Sequence, residues 1–184
     1  MSQPDSGDQQ QHFLSLFEPV RERLWRYVRA MTRADRDTVH DIIGETILNV
    51  YGRMHTLRTP EHFASYCFTT ARRVYMRQRR RERLAALFHS TASPYDVSDS
   101  TPPDTSLEIT ILYDALATLP AAMRETLILF EISDCSLEDI RRIQGGTLSG
   151  VKSRLARARK QVEEWYARDE RATLHQLRTT TTTP

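Results

Sequence analysis

At 184 residues and 39% apolar content, the chain has room for one ordinary domain or two small ones, each with a modest core. A formal net charge of +2 points to no partner by itself, yet all but Lys152 and Lys160 of the 26 basic residues are arginine, whose planar fork suits phosphate and guanine. The two cysteines, Cys67 and Cys135, are far apart and lack metal-type spacing, so they read as small core residues in a reducing compartment. The polar start "MSQPDSGDQQQ" is no signal peptide, and no apolar run reaches transmembrane length. The expectation is a soluble intracellular chain with no membrane insertion.

Residues 1–12 read as a disordered tail. From Phe13 the pattern turns helical, with Phe17, Val20, Leu24, Tyr27 or Val28, and Met31 on one face. "RADRD" breaks it, and Asp35 or Asp37 caps a second helix carrying Val39, Ile42, Ile43, Ile47, Val50, Tyr51 and Met54. Pro60 marks a loop or a helix start. A third helix runs from about 61 to 87, aromatic in its first half and nearly all arginine in its second. Residues 89–106 hold three prolines, many Ser and Thr, and no Lys or Arg, which predicts a flexible linker. Such a linker spans roughly 20–25 Å on average and about 60 Å when stretched, so the modules it joins can occupy separate sites.

The second module, 107–171, is helical again, with the stripe Leu107, Ile111, Leu112, Ala115, Leu116. Pro120 opens the next helix, which carries Met123, Leu127, Ile128 and Phe130. In "SLEDIRRIQ", Ser136 and Asp139 form a capping-box-like pair, and Leu137, Ile140 and Ile143 are apolar. Gly145-Gly146 ends that helix and Thr147 caps the next. Leu148, Val151, Leu155 and Val162 face inward there, leaving Ser149, Gly150, Lys152, Ser153, Ala156, Arg157 and Lys160 outward. A short helix, a three-residue turn and a basic helix make a helix-turn-helix. Residues 172–184 read as a tail. No segment alternates like a strand, so the fold class is all-α in two small bundles.

Taken together, the modules resemble the extracytoplasmic-function (ECF) sigma factors of bacterial RNA polymerase, within the sigma-70 family. The run "VKSRLARAR" after "LATLPAAMRETLILFEISDCSLEDI" is similar to that family's region 4. "RDTVHDIIGETILNVY" followed by "FASYCFTTARRVYMRQRRR" is similar to its region 2. The resemblance covers roughly residues 13–166. It implies a region 2 over 13–88 that binds core polymerase and engages the −10 element, and a region 4 over 107–171 that reads the −35 element. It implies as partners promoter DNA and core polymerase through its β′ and β subunits, with no catalysis by the chain, no cofactor and no metal. On the −35 side it implies Ser149, Lys152, Ser153, Arg154, Ala156 and Arg157. On the −10 side it implies Phe63, Tyr66, Arg72, Arg73, Tyr75, Arg77 and Arg80, since melting needs stacking rings and backbone-holding cations. Phe68 and Arg79 belong to the same run. For polymerase binding it implies Asp41, Ile42 and Glu45.

The chain departs from the family pattern in places. Thr38, His40 and Gly44 stand where acidic residues and Gln are usual, and phosphorylation of Thr38 or Thr46 by a Ser/Thr kinase would restore the missing charge. An anti-sigma factor is the other controlling partner the resemblance implies. Arg73 and Arg77 replace Asn and Asp, and Arg141 and Gln144 replace small and apolar residues. A free-standing helix-turn-helix regulator and an RNA-binding protein using "RQRRRER" are the competing readings.

Overall fold

The computed structural model describes residues 6–33, 36–54, 59–88 and 107–180, and among these there are helices and turns but no strand. The α-helices are α1 (Ser6–Thr32), α2 (Arg36–Tyr51), α3 (Phe63–Phe88), α4 (Leu107–Ala117), α5 (Ala121–Leu127), α6 (Leu137–Gln144) and α7 (Leu148–Thr180). A 3-10 turn, Pro60–His62, leads into α3, and a π-helical turn, Ile128–Ile132, continues α5. The all-α expectation holds. The linker at 89–106 and the candidate cap Asp35 lie outside the described residues; Asp37 sits in the first turn of α2, where its charge meets the positive helix end.

Helices α1, α2 and α3 form the first bundle around Leu24, Tyr27, Val28, Ile42, Val50 and Phe68. At its end Phe13 stacks on Phe17 with ring centres 5.4 Å apart and meets Tyr51 and Phe63 edge-on at 5.3 and 5.9 Å. The expected tail over 1–12 is corrected: α1 already begins at Ser6. The glutamines before Phe13 are good helix formers, and Asp8 complements the helix start.

In the second bundle the terminators expected from sequence are formed. Ser136 Oγ accepts from Asp139 N at 3.1 Å, and its hydroxyl donates to the Asp139 carboxylate at 2.6 Å. Gly145 and Gly146 have φ of 79° and 88°, a region that disfavours side chains. Thr147 Oγ1 accepts from Gly150 N at 3.1 Å, capping α7. Leu148 was expected inward but is 37% exposed, because the buried stripe of α7 begins one turn later at Val151 and continues through Leu155 and Ala158. Helix α7 also runs past the expected boundary at 171, to Thr180.

The two bundles share an interface: α1 packs on the π-helical turn, α3 packs on α6, and one apolar cluster runs through both. Separate cores were expected. Small bundles bury a small fraction of their surface, so burial shared between the two adds to the stability of both. Burial pushes the thiols of Cys67 and Cys135 up to about 12, which leaves both unreactive. Among the described residues no helix is long and apolar enough to cross a membrane.

Candidate nucleic-acid interface

The outer side of α7 presents Ser149, Lys152, Ser153, Ala156 and Arg157, all exposed, on the face opposite Val151, Leu155 and Ala158. Arg157 Nε donates to the Ser153 carbonyl at 3.2 Å, which lays its guanidinium along this face. Arg154 differs. It turns into the module, donating to Thr126 Oγ1 at 3.4 Å and Gln144 Oε1 at 3.2 Å. Arg159 pairs with Glu131 at 2.6 Å and lies over the Phe130 ring.

In the first module a groove of about 180 Å³ opens between α2 and α3. Tyr66, Arg73 and Arg77 line it, joined by Thr70 and Val74 of α3, by Asn49 of α2 and by Arg53 in the turn just after α2. Thus the fold brings three of the expected −10 residues together and adds Asn49 and Arg53, which sequence reasoning missed because they precede α3 by a turn and a loop. Arg80 is exposed farther along α3, and Arg79 faces Glu82 at 3.6 Å. Phe63 is corrected: it is a core ring, 2% exposed, and cannot stack on a base. Phe68 is likewise fully buried, while Tyr66 and Tyr75 are half-buried.

On α2, Asp41 is exposed, but Ile42 is 2% exposed and belongs to the core, so it offers no contact surface. Glu45 pairs with Arg77 across the α2–α3 seam. One turn beyond Glu45, Leu48 is 74% exposed, an apolar side chain in line with Asp41 that periodicity alone did not single out. Thr46 is wholly buried with its hydroxyl donating to the Ile42 carbonyl at 2.7 Å, so a kinase has no access to it in this fold. Thr38 is half-buried near the start of α2.

The feature that sequence reasoning missed outright is Glu125. Its residue is 2% exposed, yet it carries a carboxylate. Oε1 accepts from Tyr27 Oη at 2.9 Å and from Arg72 Nε at 2.8 Å; Oε2 accepts from Gln144 Nε2 at 2.9 Å. Burial raises the Tyr27 hydroxyl well above its ordinary value, with the neighbouring Glu125 charge adding to the effect. Gln144 in turn accepts from Thr126 Oγ1 at 2.8 Å and from Arg154. A continuous polar chain therefore joins α1 and α3 to α7. The signal was present: positions 125, 128, 129 and 132 share one helical face, so the period itself puts an acid in the buried stripe. Arg72, expected at DNA, is drawn into this cluster. Arg141 is accommodated by lying back on Glu138, 2.6 Å away.

Another inter-module bond gives a pH test. Ser65 Oγ donates to Asp139 Oδ1 at 2.7 Å. Partial burial raises the Asp139 pKa, but bonds from Ser136 and Ser65 and the nearby Arg142 outweigh it and hold the carboxyl below its ordinary 3.8. A depressed pKa contributes stability that is present above the unfolded value and lost as pH falls through the folded one. Acid unfolding monitored by circular dichroism is expected to show Asp139→Asn less stable than the parent at pH 6, with the gap closing below about pH 3.8.

Comparison with known proteins places this geometry. The family model described as "Sigma-70 region 2" matches residues 16–85, and "Sigma-70, region 4" matches 109–162. The ECF RNA polymerase sigma-E factor of Haemophilus influenzae is 26% identical over 152 residues, covering 76% of this chain and 77% of that protein. The ECF RNA polymerase sigma factor EcfG of Rhodopseudomonas palustris is 32% identical over 127 residues, covering 67% and 68%. In fold, the chain is similar to the sigma factor RpoE solved with the anti-sigma factor NepR from Bartonella quintana (TM-score 0.68, 23% identity, 85% of this chain and 95% of that one). It is also similar to CnrH solved with the cytosolic domain of CnrY (TM-score 0.66, 20% identity, 87% and 90%). With both conserved regions matched in order on one helical chain, this protein belongs to the sigma-70 family and is an alternative sigma factor of the ECF type.

Proposed function

We propose that the chain binds core RNA polymerase through the outer face of α2, with Asp41 and Glu45 meeting a basic surface and Leu48 supplying an apolar contact. Region 2, over 13–88, takes the −10 element in the α2–α3 groove. There Tyr66 stacks on an unpaired base while Arg73, Arg77 and Arg80 hold the strand. Region 4, over 107–171, lays α7 against the −35 element, with Lys152, Ser153 and Arg157 at base edges or phosphates and Ser149 and Ala156 small enough for close approach. Nucleotide chemistry stays with the polymerase, so the chain is no enzyme itself and works in the cytoplasm. The observation that carries this reading is the pairing of a capped helix-turn-helix with a second, ring-and-arginine groove in one chain.

An anti-sigma factor is proposed as one controlling partner, in line with the complexes in which the structurally similar RpoE and CnrH were solved. Control by a kinase rests on Thr38, because Thr46 is enclosed. Run-off transcription with purified core polymerase is expected to depend on this chain and on both promoter elements. Duplex binding without any effect on polymerase would instead make it a free-standing regulator.

A further inference from the structure

The second half of α3 leaves the bundle. From Met76 to Leu87 no described side chain is buried, so this end of the helix stands clear of the core. Three apolar side chains are nevertheless in the open there: Met76 at 40%, Leu84 at 48% and Leu87 at 76% exposure. Neither the groove nor the outer face of α2 uses them. Apolar side chains scattered singly over a surface need no partner, but a shared face marks an interaction site.

These do share a face. At about 100° per residue, Met76, Arg77, Arg80, Arg83, Leu84 and Leu87 all fall within about 60° of one line along the helix. Glu82, the one acid of the segment, is on the opposite side, where it faces Arg79 at 3.6 Å. The stripe is therefore cationic and apolar together, with no carboxylate of its own. It is also continuous with the groove between α2 and α3, because Arg77 belongs to both. From Arg77 to Leu87 the helix rises roughly 15 Å, the length of about four to five base pairs at 3.4 Å each.

The arginines call for an anionic occupant, and continuity with the groove makes that occupant the promoter itself. A helix with its side chains is about 10–12 Å across and the major groove of B-form DNA about 12 Å wide, so a helix end clear of its own core can lie in it. The apolar group that base pairs display there is the C5 methyl of thymine. In chain order this end of α3 leads to the module proposed to read −35, which assigns it to the upstream side of the −10 element. We propose that the projecting half of α3 enters the major groove of the duplex just upstream of the −10 element. Leu84 and Leu87 lie against thymine methyl groups there, and Arg80 and Arg83 hold the flanking phosphates. The chain thus reads a further determinant, made of thymines, between its two promoter elements.

The inference rests on the reading of α3 as the −10 helix, and the test separates the two. Replacing thymine by uracil removes the methyl and leaves every hydrogen-bonding group in place. Promoter duplexes are selected from a randomised pool by holoenzyme carrying the parent chain. Uracil at one or two positions within about five base pairs upstream of their −10 element is expected to weaken holoenzyme binding about fourfold per methyl, the worth of one buried carbon. Leu84→Ala with Leu87→Ala is expected to erase that difference and bind thymine and uracil duplexes alike. Both side chains are exposed and alanine is the better helix former, so this variant should keep its helical content. Equal binding of both duplexes by the parent would overturn the inference, as would a double variant that still tells them apart. A double variant that loses core polymerase itself would also overturn it, since the leucines would then be a protein contact. In each of these cases, run-off transcription that still depends on the −10 sequence and on Tyr66 leaves the groove reading standing, whereas transcription indifferent to both removes it.

Discussion

Phe68→Ala is expected to lower the unfolding free energy by about 3–5 kcal/mol, the usual loss for a buried ring. For a chain of this size that moves the melting temperature down by roughly 6–20 °C, measurable by calorimetry. The ring is fully buried, meets Tyr27 edge-on at 5.4 Å and lies under the Arg23 guanidinium at 5.9 Å. It belongs to a run of aromatics in which residue type alone does not separate core rings from rings free to stack. Tyr66→Ala is the control. Its ring borders the groove and is only half-buried, so its loss should change stability far less while removing a stacking contact worth about 1–3 kcal/mol per base. If Phe68→Ala left the melting temperature unchanged and Tyr66→Ala lowered it sharply, the division of the aromatics into core and site would be reversed.

On the −35 side, the largest effect is expected at Arg157. Alanine there should weaken promoter binding by the holoenzyme roughly 5- to 150-fold if the guanidinium forks a base edge, a contact worth about 1–3 kcal/mol of discrimination. The loss should fall on one base position and shrink on templates altered there. Lys152→Ala should behave differently if it holds phosphate: a near-uniform loss across sequences and a salt slope lower by about one. Arg154→Ala separates contact from support, since that side chain bonds Thr126 and Gln144 rather than facing outward. It should lower the stability of region 4 and leave sequence preference intact. Equal loss of base preference in Arg154→Ala and Arg157→Ala would contradict the inward placement of Arg154.

Much of the architecture was legible because local rules act locally. Ser136, Thr147 and the Gly145-Gly146 pair could be read as caps and a terminator since their partners lie within four residues. The buried stripes of α1 and α2 followed from the helical period, and the outward face of α7 followed from what was left over. The errors have equally specific causes. Ile42 falls in the apolar stripe of α2, and only the family resemblance sets it beside Asp41 at the polymerase face, although adjacent residues on a helix point about 100° apart. Phe63 carries the same chemistry as Tyr66, and only packing against Phe13 separates a core ring from an exposed one. Leu148 fits the apolar period yet opens the first turn of α7, where it stays 37% exposed.

The sequence by itself determined an all-helical chain of two modules, the helix-turn-helix with its caps, the basic outward face of α7 and the family, because each depends on period, propensity or contiguous motif. Only the tertiary structure decided that Asn49 and Arg53 join the α3 groove, that Thr46 is closed to modification, and that the modules meet through arginines on one side and carboxylates on the other. The bond between Arg72 and Glu125 spans 53 positions and that between Tyr27 and Glu125 spans 98. No local rule reports a contact of that length. It exists because a buried carboxylate must find donors wherever the fold supplies them.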